Sequence, residues 1–118
     1  IQYAHARISK VLEQWGGDIS KLKLDDSYIF ESQAELKLIK SISIYPEIVL
    51  QATNEHAPHQ IANFLKDCAA ELHSYYNDSK FLVEDEKIRI ARLSLINSAK
   101  HVLKNGLNLL GIEAPQQM

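Results

Sequence analysis

Residues 58–76 read PHQIANFLKDCAAELHSYY, and this stretch decides the fold. Ile61, Phe64, Leu65, Cys68, Leu72, Tyr75 and Tyr76 fall three or four apart, the period of a helix with one face in a core. Ala57-Pro58 interrupts the chain before it, and Asn77-Asp78-Ser79 is a turn signal after it. Working back from Pro58, Pro46 fits the first turn of a short helix containing Ile48, Val49 and Ala52. Further back, Ser32 and Glu35 have capping-box spacing, opening a helix whose apolar side is Ala34, Leu38, Ile39 and Ile42. Asp18 to Phe30 has no clean period and reads as a long, partly packed connection. Ile1, Ala4, Ile8, Val11, Leu12 and Trp15 again carry helical spacing, and Gly16-Gly17 supplies a left-handed stop. Working forward from Ser79, Glu84, Asp85 and Glu86 open a last long helix with Lys100 and Lys104 near its end, an order that complements the helix dipole. Leu95, Ile96, Ala99, Val102, Leu103 and Leu107 form its apolar stripe, and Gly111 is its stop. No segment alternates with period two, and there is no repeat or low-complexity tract. The expected fold is an all-α bundle of about five helices joined mostly by short turns, one domain over residues 1–118.

Composition is compatible with that. A 118-residue domain buries roughly two-thirds of its unfolded surface and can form a core without staples. Hydrophobic residues are 46% and charged residues 24%, which argues against disorder. Thirteen Lys+Arg against fifteen Asp+Glu give a net charge of −2, which excludes polyanion binding by bulk charge but not by a local basic patch. The single cysteine, Cys68, can make neither an internal disulfide nor a CxxC site, which suits a reducing, cytoplasmic compartment. No apolar run approaches the roughly 18 residues of a membrane span. Ile1-Gln2-Tyr3-Ala4 has neither an initiator Met nor a signal-peptide pattern, so the chain reads as a piece of something longer.

The search for reaction chemistry returns little. His56 and His59 straddle Ala57-Pro58 and have no Cys pair or HExxH partner, so no metal site is expected. Cys68 lies between Leu65 and Leu72 on the apolar face and reads as a small core residue. There is no phosphate-binding glycine loop and no GxSxG elbow, and no catalytic residue is assigned. The informative feature is a second stripe on the first helix. At 100° per residue Tyr3, Arg7, Lys10 and Gln14 share one line, roughly 120° from the apolar stripe. An aromatic, a guanidinium, an ammonium and an amide in a row suit an unpaired nucleic-acid strand, with stacked bases and neutralised phosphates. Spacing alone favours the plainer account, a solvated helix face with a boundary tyrosine. Of the adjacent Tyr75 and Tyr76, one can face the core while the other points about 100° away.

At these residues the chain resembles a known family. Gln2-Tyr3-Ala4-His5-Ala6-Arg7 is similar to the helix that opens the C-terminal, DALR-type anticodon-binding domain of arginyl-tRNA synthetases. The match continues through Pro58-His59, Phe64-Leu65 to Ala69, Leu72-His73, Tyr75-Tyr76-Asn77 and Ala91-Arg92-Leu93-Ser94-Leu95. It then runs from Val102-Leu103-Lys104-Asn105-Gly106-Leu107 to Ile112 and closes on Ala114-Pro115-Gln116-Gln117-Met118, a methionine-ended tail. The blocks keep the family's order and span essentially the whole chain.

The resemblance implies a helical domain that holds the anticodon stem-loop of an arginine tRNA, with no DNA or membrane partner. It implies a monomeric parent ligase whose separate catalytic domain, on which this one packs, uses ATP and Mg to attach arginine. No cofactor is expected in these 118 residues themselves. The family's anticodon contacts map onto Tyr3, Arg7, Tyr76 and Met118, the last through its thioether and terminal carboxylate. Lys10, Gln14, Asn63, His73 and Lys80 are weaker contact candidates. Some relatives carry an aromatic a turn beyond the tyrosine, where Lys80 and Phe81 stand here. The alternatives are a similar domain of another synthetase, such as the glycine enzyme's β chain, or a helical protein-interaction module with no RNA role.

Overall fold

Each helix boundary in the computed structural model, which describes residues 1–23 and 28–112, has a local chemical cause. Helix α1 (Gln2–Trp15) stops at Gly16, whose φ of +71° lets its N–H reach back to the Leu12 carbonyl at 3.2 Å. A side chain at Gly17 would collide with the Trp15 indole. A short 3-10 turn (Ile19–Lys21) follows, and Leu22 is buried beside it, so the connection is partly packed.

Helix α2 (Gln33–Asn54) opens on the expected capping box. The Glu35 N–H donates to Ser32 Oγ at 3.1 Å, and the Ser32 N–H donates to Glu35 Oε1 at 3.4 Å. It ends on His56 in the left-handed region (φ +51°), with the Ala57 N–H reaching the Ala52 carbonyl at 2.8 Å. Helix α3 (Pro58–Asp78) starts on Pro58, and α4 (Glu86–Leu109) is capped by Asp85, which accepts from the Ile88 N–H at 3.1 Å. Gly111 (φ +75°) closes α4 as a Schellman turn, with the Ile112 N–H on the Leu107 carbonyl at 2.8 Å.

The described residues therefore hold four α-helices where about five were expected, because Pro46 lies inside α2 and does not begin a new helix. Proline removes one backbone bond and crowds the carbonyl four residues back, a cost of about 3 kcal/mol. Helix α2 absorbs it because it packs along α3 on both sides of Pro46, burying Leu38 and Ala52. Helix α4 also runs on to Leu109, so Lys100 and Lys104 stand before its last turn.

Helix α1 packs on α4, and α2, α3 and α4 pack on one another, with α1 and α3 meeting only along a narrow rim. Leu12, Leu38, Leu65, Leu93, Leu95, Ile96 and Leu103 are fully buried between them. Gly106 lets α4 close on α3: a Cβ there would lie 2.6 Å from Leu65 Cδ2. Cys68 is buried in the same core, and its surroundings push the thiol up to about 12, first by burial and then by the nearby Glu71 charge. Among the described residues no helix is long and apolar enough to cross a membrane.

Candidate nucleic-acid interface

Helical period places Tyr3, Arg7, Lys10 and Gln14 on the flank of α1 that its core residues leave free. Tyr3 is 54% exposed, Arg7 half-buried, and Lys10 and Gln14 exposed. The last turns of α3 contribute His73 and Tyr76 to the same rim. Arg7 Nη1 donates to His73 Nδ1 at 2.8 Å, and the guanidinium carbon lies 3.7 Å from the centre of the Tyr76 ring. The Tyr3 ring is 5.5 Å from that carbon and 5.7 Å from the His73 ring. Two helices thus build one cluster of stacked, partly exposed rings around a cation.

The adjacent tyrosines divide as helical geometry demands: Tyr75 is fully buried and Tyr76 is 39% exposed. Phe81, from the segment between α3 and α4, is buried edge-on against Tyr75 at 5.0 Å and stands behind Tyr76 at 5.7 Å. It supports the exposed ring and is not itself presented to solvent. Beneath it lies a polar knot. Tyr75 Oη donates to Glu35 Oε2 at 2.9 Å, and Arg92 Nε lies 3.7 Å from the same oxygen. Arg92 Nη1 then donates to the Lys80 carbonyl at 2.6 Å, tying the α3–α4 segment to α4. The capping glutamate of α2 therefore also fixes the end of α3. Burial, then the hydrogen bond to Glu35 and its charge, hold the Tyr75 phenol well above its ordinary range. His73 is held below its ordinary value, first by burial and then by the Arg7 cation, so it is a neutral acceptor at pH 7.

An open groove of about 310 Å³ continues from Tyr76 between Gln14, Lys80 and Leu82. Tyr3, Arg7, His73, Tyr76, Gln14 and Lys80 therefore share one surface, and Lys10 extends it along α1. Asn63 does not join them. It is exposed on α3 thirteen residues before Tyr76, about 20 Å along the axis and on another face. Met118 lies outside the described residues. Periodicity alone could not find Glu35, Tyr75 and Arg92 as a unit, because they come from three different helices. Among the described residues no group of three His, Cys, Asp or Glu side chains is placed to hold a metal ion.

The DALR anticodon binding domain family matches residues 1–118. Arginine–tRNA ligases of Nitrosomonas eutropha and Aromatoleum aromaticum are 48% and 47% identical over all 118 residues. This chain spans about a fifth of their length, 20% of each. The solved arginyl-tRNA synthetase of Thermus thermophilus superimposes with a TM-score of 0.84 at 35% identity, over 99% of this chain and 20% of that one. A putative arginyl-tRNA synthetase of Campylobacter jejuni superimposes with a TM-score of 0.87 at 27% identity, over 99% of this chain and 25% of that one. With the whole chain matched, this protein belongs to the DALR anticodon binding domain family, in company with arginine–tRNA ligases.

Proposed function

We propose that the rim of α1 and α3 receives the anticodon stem-loop of an arginine tRNA, and so positions that tRNA for arginine attachment elsewhere in a longer ligase. One observation carries the reading: Tyr3, Arg7, His73 and Tyr76 converge on one exposed surface, with the guanidinium stacked on Tyr76 at 3.7 Å. Splayed bases of an RNA loop are held by such aromatic and guanidinium planes, with cations on the flanking phosphates. Lys10, Gln14 and Lys80 extend the same face and suit a backbone that runs across it. Met118, through its thioether, is proposed to complete the surface.

In this reading the domain performs no reaction and needs no cofactor. ATP and Mg act in the catalytic domain of a cytoplasmic, monomeric ligase, on which this domain packs. The test is binding of the full-length protein to arginine tRNA and to another tRNA at two salt concentrations. Preference for arginine tRNA, weakened by Arg7→Ala with a salt slope lower by about one, supports the reading. Equal affinity for both tRNAs, unchanged by Arg7→Ala, would leave a protein-interaction module in its place.

A further inference from the structure

The face of Tyr76 turned toward α1 is already occupied. Arg7 covers it at 3.7 Å, well inside the roughly 6 Å at which a cation and a ring attract. His73 holds the guanidinium there, one turn back on α3, through the 2.8 Å bond to its Nδ1. A guanidinium has only donors, so Nδ1 must present a lone pair and the ring proton must sit on Nε2. Among the described residues His73 is the one hydrogen-bond partner of the Arg7 side chain.

We propose that His73 is a positioning residue of the RNA-binding face: as a neutral acceptor it locks Arg7 flat over Tyr76, so that an unpaired base is received on the guanidinium plane and the Tyr3 ring. This rests on the reading of the rim as a tRNA site, and it moves the stacking surface outward from Tyr76. Arg7, held on Tyr76 rather than swinging free, meets the base already oriented. A protonated His73 has no lone pair at Nδ1 and repels the guanidinium, so the lock opens in acid. The groups facing His73 are Arg7 and Tyr3 from α1, and Tyr76 from its own helix. From α4, Ile96 lines the same small void and brings no charge.

The experiment measures the affinity of the full-length protein for arginine tRNA from pH 7.5 to pH 5.0, with three variants. His73→Asn keeps an acceptor near the place of Nδ1 and does not titrate in this range. It should bind like wild type at pH 7.5 and lack the extra weakening, about ten-fold, that wild type shows at pH 5.0. His73→Leu should bind about ten-fold more weakly than wild type at pH 7.5 and match it at pH 5.0, while melting at an unchanged temperature. Wild-type affinity for His73→Leu at pH 7.5, or one common pH profile for wild type and His73→Asn, overturns the assignment. Arg7→Ala separates the two levels. If it too binds like wild type, the tRNA reading of this face fails; if it alone is weakened, only the role of His73 fails.

Discussion

Tyr76 and Tyr75 differ by one position and by everything that matters for substitution. Tyr76→Ala removes a half-exposed ring that supports Arg7, so RNA affinity should fall by about 1–3 kcal/mol while the melting temperature changes little. Tyr75→Phe removes one buried hydroxyl and leaves Glu35 short of a donor, which should cost about 1–3 kcal/mol of stability at neutral pH. The sign of its pH dependence is fixed by the raised phenol. Neutral Tyr75 contributes fully below its unfolded value of 10, and that contribution is lost as pH rises beyond it. Alkaline denaturation curves should therefore be flatter above pH 10 for Tyr75→Phe than for wild type. Identical curves would show that the polar knot is dispensable. Leu103, fully buried in α4, is the plain core control: Leu103→Ala should lower the unfolding free energy by about 2–5 kcal/mol in a denaturant titration.

Among the helices, α2 and α4 each contain a residue that local propensity disfavours, for opposite reasons. Pro46 is exposed inside α2, and an alanine would restore the lost backbone bond. The helix penalty of about 3 kcal/mol, less the roughly 1 kcal/mol by which proline restricts the unfolded chain, leaves a gain near 2 kcal/mol for Pro46→Ala. Gly106 is different. Alanine there should improve helix propensity by about 1 kcal/mol, yet its methyl would strike Leu65, which is fully buried and has nowhere to go. Gly106→Ala should therefore destabilise by about 1–2 kcal/mol net, and the penalty should shrink in a Leu65→Ala background. An additive double mutant would mean that the two helices separate at no cost.

For the whole molecule, legibility followed sequence distance. The ends of α1, α3 and α4 were readable because glycine, proline and acidic caps act within a few residues of themselves. The flank of α1 was readable too, since 100° per residue aligns Tyr3 with Arg7 without knowledge of any partner. The break expected at Pro46 failed because packing on α3 outweighs a local preference, which no window of a few residues records. The knot of Glu35, Tyr75 and Arg92 was out of reach for a similar reason: its central hydrogen bond joins residues 40 positions apart. His73 gained its place only when the rim brought Arg7 to it across 66 positions. A reaction should not be found in these 118 residues alone: arginine-dependent pyrophosphate exchange by the purified chain should stay at background.

The pairing of α1 with α4 joins the first of the four described helices to the last of them. Neighbouring α2 and α3 can associate as soon as both have left the ribosome, since a short connection makes their encounter fast. Ala4, Ile8, Val11 and Leu12 must wait until α4 has been synthesised before their apolar face is covered. Arg7 reaches Tyr76 only when α1 docks, so the rim they share is assembled after α4 is in place. Nascent chains stopped before α4 will present an uncovered greasy helix, fit for a chaperone, and no finished rim.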